Sequence, residues 1–488
     1  MTNLGEMGPF PLPRAVGNKL RSVAKYLIVA AAVLTAVATL TNVFAPTVAK
    51  SGLSSHANSS AADIANNARL YPHLLPTTDT FIPIAVWDQA PNGENVPSAY
   101  SNQAAAFRAM GVNVFVGMNS WPERFGSDDG ELEAAVAEHM YVIGGGDPFS
   151  TTSARSVGSI AKLISRIPGA SKYFIGYQWG DEPTCSTDVA SQVATVRRED
   201  PTRLFFDNEG AWIAWLPQHN VLGSAECLAA SEANLRATSI ASADDYALTD
   251  PWHTYLCSSD GGYDCLWVYG KEAMNIRALV GPEEPVWEFV ETGTNELGLS
   301  DENGGKAETS SASPTEVNSA AWEALLGGAN GIEWFCDELL PDDTPIWDYC
   351  ASKGIIRANI SYIDHTIQHF AAEINAPSVL SGLSVRSSNR AVPIISVQKD
   401  MNGTTYLFVE GDRNGTTTGI YKLSRFANGS AMLLYDSNAR YNPSVSEQGE
   451  TFELNSKGYF EDLLPANYSV KIYEILPHTG PMLLAGNT

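Results

Sequence analysis

From Thr80 onward, short apolar runs that end in polar or Gly-rich residues alternate with longer stretches of helical periodicity. The runs are FIPIAVW (81–87), VNVFVG (112–117), MYVIGG (140–145) and YFIGYQW (173–179), then RLFFDN (203–208), DYALT (245–249), PVWEFV (285–290) and GIEWF (331–335). Between them lie SNQAAAFRAM, ELEAAVAEHM, VGSIAKLISRI, DVASQVATVRRE and EVNSAAWEALLGG, which read as helices. Eight strand-then-helix units predict an α/β fold of the TIM (β/α)8 type, a closed parallel barrel. The rival, an open doubly wound sheet, lacks the GxGxxG turn after its first strand that a dinucleotide site requires.

A helical stretch from about Ile346 to Ile374 closes the barrel, and after Ser378 the texture changes. PIISVQ, TTYLFVEG, GIYKLSR, AMLLYDS, ETFEL and YSVKIYEI are short strand-like runs separated by Asn-Gly and Asp-containing turns, which predicts an antiparallel β-sandwich. The expected layout is a basic segment (1–25), an apolar segment (26–49), a Ser/Ala/Asn-rich linker (50–78), the catalytic barrel (79–377), the sandwich (378–476) and a short tail (477–488). Arg14, Lys19, Arg21 and Lys25 precede the apolar run YLIVAAAVLTAVATLTNVFA, the pattern of an export signal with its positive end in the cytoplasm. That run is long enough to span a bilayer, so a cleaved signal peptide and a retained membrane anchor both stay open. The expected location is outside the cell, secreted or held on the outer face of the plasma membrane.

The formal net charge of −25 excludes a nucleic-acid partner, which needs clustered Lys and Arg, and argues against a polyanionic substrate. The six cysteines, Cys185, Cys227, Cys257, Cys265, Cys336 and Cys350, form no CxxC zinc pair. In an exported chain they read as structural disulfides of undetermined pairing, with Cys257 and Cys265 flanking one Gly-rich turn. The eight histidines form no HExxH or HxH pattern, and neither a GxSxG elbow nor a P-loop is present. No metal and no cofactor are therefore expected. Oligomeric state is not readable from the sequence.

Barrel chemistry sits at the C-terminal ends of the strands, so carboxylates there carry the weight. The fourth run continues Gln178-Trp179-Gly180-Asp181-Glu182-Pro183, and the seventh reads Val286-Trp287-Glu288-Phe289-Val290-Glu291. Side chains alternate along a strand, so Glu291 shares a face with Trp287 and Phe289 while Glu288 points toward the helices. Cleavage of a glycosidic bond needs two carboxyl groups flanking it, one protonated and one ionised. Glu182 and Glu291 are placed to supply them across a barrel mouth. Glu209, ending the fifth run, is the rival carboxylate.

These motifs resemble glycoside hydrolase clan A, the retaining TIM-barrel glycosidases, and within it a bacterial group described as β-galactosidase- or cellulase-like. The resemblance spans roughly residues 80–475, at FIPIAVWDQ, GDEP (180–183), PVWEFVET, EVNSAAWEALLGGANGIEWF and YFEDLLPANYSVKIYEI. It implies that Glu182, followed by proline, is the acid/base and that Glu291, in FVETG (289–293), is the nucleophile. Two departures stand out. Asp181 occupies the place of an Asn that contacts the sugar. Asp250-Pro251-Trp252 occupies the place of a Tyr that bonds the nucleophile, which suggests a stacking role for Trp252. Further substrate-binding candidates are Trp87 and Asp88 after the first strand, Asn119 and Trp121 after the second, Asn208 after the fifth, and Asp250. Trp334 and Phe335 end the eighth, where the clan places an aromatic floor.

The expectation is an exported glycosidase that cleaves O-glycosidic bonds of a neutral oligo- or polysaccharide by retaining double displacement. The alternative is a non-catalytic carbohydrate-binding or surface-interaction protein on the same scaffold. The sugar and its linkage depend on loop shape and are not legible.

Overall fold

A computed structural model of the chain describes residues 74–76, 78–87, 97–117, 130–145, 157–183, 187–210, 225–247, 266–292, 312–336, 338–339, 345–346, 349–352, 354–441, 449–465 and 468–478. The apolar segment 26–49 and the linker 50–73 lie outside them. No helix among the described residues is long and apolar enough to cross a membrane.

Eight parallel strands close into a barrel in chain order: β1 Ile84–Trp87, β2 Val114–Val116, β3 Tyr141–Gly145, β4 Phe174–Asp181, β5 Leu204–Gly210, β6 Ile240–Asp244, β7 Val286–Glu291 and β8 Gly331–Phe335. Helices α1 Pro97–Met110, α2 Gly130–Ala137, α3 Val157–Arg166, α4 Ala170–Tyr173, α5 Val189–Glu199, α6 Ala225–Ala237, α7 Trp267–Val280 and α8 Pro314–Gly327 follow the strands. The barrel has two distinct apolar shells, as alternation along each strand demands. Ala85, Trp87, Val114, Val116, Ile143, Ile175, Leu204, Phe206, Ile240, Trp287 and Phe289 fill the interior. Ile84, Val86, Phe174, Tyr177, Phe205, Val290, Ile332 and Trp334 point outward into the helices.

One strand departs from the reading of the sequence. The sixth is IASAD at 240–244, not DYALT at 245–249. Its inward Ile240 and Ser242 and outward Ala241 and Ala243 are mostly small, so it lacks the β-branched and aromatic signature that marks the others. Gly331 opens β8 because the Trp287 indole crosses it inside the barrel: a Cβ there would lie 2.8 Å from Trp287 Cδ1.

After β8, the short pair β9 Glu338–Leu339 and β10 Pro345–Ile346 leads into α9 Tyr349–Ser352, α10 Gly354–His369 and α11 Ala371–Asn375. The C-terminal part is two antiparallel sheets. Strands β11 Leu383–Ser387, β14 Thr417–Leu423 and β17 Tyr459–Leu464 form one. Strands β12 Ile394–Met401, β13 Thr404–Gly411, β18 Val470–Leu476, β15 Ser430–Asp436 and β16 Thr451–Glu453 form the other, with α12 Ser437–Tyr441 following β15. The larger sheet is buried on both faces. Leu407, Val409, Leu433, Tyr473 and Ile475 meet the smaller sheet. Tyr406, Phe408, Tyr435, Val470 and Ile472 join the barrel's outer core with Trp322, Phe370 and Ile374. The sandwich and barrel thus share one continuous apolar core.

Candidate active site

Glu291 ends β7 on the inward face that Trp287 and Phe289 define, and it is buried. The hydroxyl of Tyr269 donates to its Oε1 at 2.7 Å. Tyr269 lies in the first turn of α7, and a close helix contact holds that turn. Gly270 has no room for a side chain, since a Cβ would lie 2.6 Å from Glu323 Oε2 on α8, and Gly327 packs directly against the Gly270 backbone. Glu291 pairs in register with Phe335 of β8, whose ring meets Tyr246 edge-on with centroids 5.0 Å apart. Tyr246 in turn donates to Asp244 Oδ2 at 2.8 Å. Directly after Glu291, Thr292 Oγ1 donates to the Phe335 carbonyl at 2.8 Å. The disulfide Cys336–Cys350 then ties the end of β8 to α9. The end of β7 is therefore fixed by a phenol on one side and by β8 on the other.

Glu182 follows β4, three strands away around the closed ring, and is exposed. Its φ of 41° is left-handed, a conformation that a long side chain adopts only where surrounding structure imposes it. The constraint is visible: the register between β4 and β5 shifts between Gln178 and Asp181, and the Glu182 N–H donates to the Asn208 carbonyl at 2.8 Å. The strand end is bent so that Glu182 leaves the β4 ladder and faces solvent. One carboxyl is thus buried and clamped by a phenol, and the other is open to water.

The floor between them is made by the inward residues. Trp87 packs against Phe289 at 5.2 Å and Phe206 at 6.1 Å, and Asn208, fully buried, pairs with Ser242 of β6. Glu333 of β8 lies in register with Ala85 and Phe289, which puts a further buried carboxyl inside the barrel. Sequence reasoning missed Glu333, Asp244, Tyr246 and Tyr269. Alternation from Trp287 across to β8 would have found Glu333. Tyr269 sits in a helix after a long connection, and nothing in its local pattern distinguishes it.

Three expectations about orientation are resolved. Glu288 faces outward as the alternation requires, and its carboxyl lies against that of Glu272 on α7. Burial, reinforced by the nearby Asp245 and Asp244, pushes the Glu288 carboxyl well above the usual range. Glu209 also faces outward, toward Ser231 and Asn234 of α6, with its carboxyl pushed up by burial, so it is outside the site. Trp334 is a correction. It is not a floor under a sugar but is fully buried between β8 and the closing helix, where its Nε1 donates to Asp364 Oδ1 at 2.9 Å. The last two residues of β8 are both aromatic, so hydrophobicity alone could not tell Trp334 from Phe335. The inward aromatic at the end of β8 is Phe335.

Asp88, Asn119, Trp121, Asp250 and Trp252 lie outside the described residues, as does the side chain of Asp181. So do Cys185, Cys257, Cys265 and the side chain of Cys227. No group of three or more His, Cys, Asp or Glu suited to a metal ion occurs among the described residues.

No family model matches the sequence. No curated protein matches it either. Solved structures do match in fold. A glycoside hydrolase family 5 structure from Bacteroides vulgatus ATCC 8482 superposes with a TM-score of 0.50 at 11% identity, covering 82% of this chain and 90% of that one. A glycoside hydrolase gives 0.49 at 10% identity over 82% and 93%. A maltogenic α-amylase from Thermotoga neapolitana gives 0.47 at 11% identity over 82% and 99%. The structural neighbours are glycoside hydrolases, and the family 5 structure shares this chain's fold.

Proposed function

We propose that this chain is an exported retaining glycosidase of clan A type that cleaves O-glycosidic bonds of a neutral oligo- or polysaccharide. The observation that carries this reading is the unequal pair of strand-end carboxyls. Glu291 is buried and oriented by Tyr269, while Glu182 is solvent-facing and held in a strained backbone.

In this reading a Glu291 carboxylate oxygen attacks the anomeric carbon as the bond to the leaving oxygen breaks. The Glu182 carboxyl gives its proton to that oxygen. Water then displaces Glu291 from the anomeric carbon and gives its proton back to Glu182. A hydrogen bond to the charged form of a carboxyl favours that form, so Tyr269 suits a nucleophile that must be ionised before attack. Access to solvent suits Glu182, which must exchange protons with a leaving group and with water. Trp87, Asn208 and Phe335 line the floor. Asp88, Asn119, Asp181, Asp250 and Trp252 are assigned to substrate contacts by their positions in the sequence. Retention calls for carboxyl groups about 5–5.5 Å apart.

The test is a glycan-panel assay followed by labelling with a mechanism-based 2-fluoro sugar and peptide mapping. Covalent label on Glu291, and product of retained configuration by NMR, are expected. Label on another residue, or inverted product, would overturn the assignment.

A further inference from the structure

We propose that a second, non-catalytic site, in the cleft between the closing helix α10 and the sandwich, binds a saccharide carrying a single anionic group. The cleft has a volume of about 540 Å3 and is lined by Tyr362, His365, His369, Phe370, Tyr435 and Arg440, with no carboxylate among its lining residues. That is unusual for this chain, in which 55 acidic residues outnumber 30 Lys and Arg.

Arg440 is the key residue. It is exposed and has no carboxylate partner among the described residues. It is held instead by stacking over the Tyr362 ring, with its guanidinium carbon 4.7 Å from the centroid. A guanidinium oriented by an aromatic ring keeps its N–H edge available for a planar anion, which it recognises through two parallel hydrogen bonds. Two imidazoles stand one helical turn apart on the same wall. His365 is fixed through Nδ1, 2.6 Å from the Ser361 carbonyl, which directs its Nε2 away from the helix. His369 packs edge-on against Phe370, with centroids 4.8 Å apart. Both rings are exposed and offer nitrogen atoms to hydroxyl groups.

The size of the cleft decides between ligands. A bare sulfate or phosphate would fill a small part of it, whereas a volume of this order suits a small organic molecule. Rings bearing hydroxyls match the imidazoles and aromatic edges, and one carboxylate or sulfate ester matches Arg440. The net charge of −25 limits the ligand to few charges, because a polyanion would be repelled by the rest of the surface. The site is separate from the barrel mouth. It is formed on the outer side of α10 and by β15 and α12 of the sandwich.

The experiment is isothermal titration of the full chain with xylotriose bearing one glucuronic acid, with xylotriose bearing one sulfate ester, and with neutral xylotriose. At least one acidic probe should bind, at least tenfold more tightly than the neutral one. The probe that binds identifies the anion as carboxylate or sulfate ester. Arg440→Ala should weaken that binding at least tenfold, with Arg440→Lys intermediate and circular dichroism unchanged. Glu291→Gln should leave it intact, which separates this site from the catalytic reading. Equal binding of acidic and neutral probes, an unaltered affinity in Arg440→Ala, loss of binding in Glu291→Gln, or inorganic sulfate binding as tightly as the saccharide would each overturn the proposal.

Discussion

The hydroxyl of Tyr269, on a helix, donates a 2.7 Å hydrogen bond to Oε1 of Glu291, on a strand, and so joins α7 to the end of β7 at the proposed nucleophile. Removing it leaves the ring packing intact and takes away only the donor. Tyr269→Phe is expected to lower kcat by about 10- to 100-fold, since a hydrogen bond to a charged group contributes about 1.5–3 kcal/mol. KM should change little, because the partner of the hydroxyl is Glu291. Steady-state kinetics on the best panel substrate checks this. An unchanged kcat would remove Tyr269 from the mechanism.

The backbone of Glu182 makes a second prediction that separates stability from function. At φ 41° glycine is more comfortable than glutamate. Glu182→Gly is therefore expected to leave the protein as stable as the parent, or more stable by about 0.5–1 kcal/mol, while abolishing turnover. Chemical denaturation and activity measured together decide it. A glycine variant that loses stability would mean the left-handed conformation is not imposed on the side chain as described.

Trp334 and Phe335 are neighbours in sequence with opposite fates. Trp334→Phe should cost about 1–3 kcal/mol, because Asp364 loses a buried donor, and should leave KM unchanged. Phe335→Ala should raise KM, because its ring lies in register with Glu291 on the inward face. Denaturation curves and KM for the two variants should diverge in this way. A raised KM for Trp334→Phe would restore the tryptophan to the site.

The barrel was legible because strands with one apolar face toward the interior and another toward helices read as near-continuous Val, Ile and Phe runs. The strand that escaped, Ile240–Asp244, is packed with Ala and Ser and carries no such signal. Two sandwich strands, Leu383–Ser387 and Tyr459–Leu464, escaped for a related reason. They belong to the smaller outer sheet and alternate with exposed Arg386, Glu461 and Leu463. The start of α8 was written in the sequence as Ser313-Pro-Thr-Glu316, a capping box with proline at its first turn, and begins two residues earlier than its apolar periodicity suggests. In the site, alternation placed Glu288 and Glu291 on their correct faces. The same rule, carried across to β8, would have turned Trp334 outward. Tyr269 was beyond reach, since its contact with Glu291 is made by packing of α7 on α8 and not by any local pattern.

Behind β7, the carboxyls of Glu288 and Glu272 face each other in a fully buried position. As carboxylates neither can donate, so the arrangement holds when one carries a proton. The Glu288 value is raised by burial above 4.5, so the folded state binds more protons than the unfolded one and stability falls as pH rises above that value. In Glu288→Gln the amide donates to Glu272 at every pH. The variant should lose less stability than the parent as pH rises from 4.5, by urea unfolding. Parallel pH profiles would show that no proton is shared.

At the joint between barrel and sandwich, Asp412 is pushed up to about 6 by burial, against the pull of Arg413 at 3.2 Å. Glu323 of α8 and Glu410 of β13 beside it are raised in the same direction, also by burial, and Ser319 donates to Glu410. Arg413 reaches further and stacks on Trp267 at the start of α7, 4.7 Å from the ring centroid, two residues before Tyr269. The folded-state value of Asp412 exceeds its ordinary 3.8, so the folded form holds the proton between about pH 4 and pH 6. Its contribution is fully present below the ordinary value and is lost as pH rises through 6. Asp412→Asn removes that titration. Between pH 7 and pH 5 the parent should therefore gain about 0.5–1 kcal/mol relative to the variant, a figure reduced for a side chain that remains 21% exposed. Thermal unfolding of both proteins at the two pH values measures the difference. Because the same residues brace the first turn of α7, Arg413→Ala should lower kcat through Tyr269 while leaving KM unchanged, an effect absent in the Tyr269→Phe background. Additive losses in the double variant would mean that the sandwich supports the barrel without acting on Glu291.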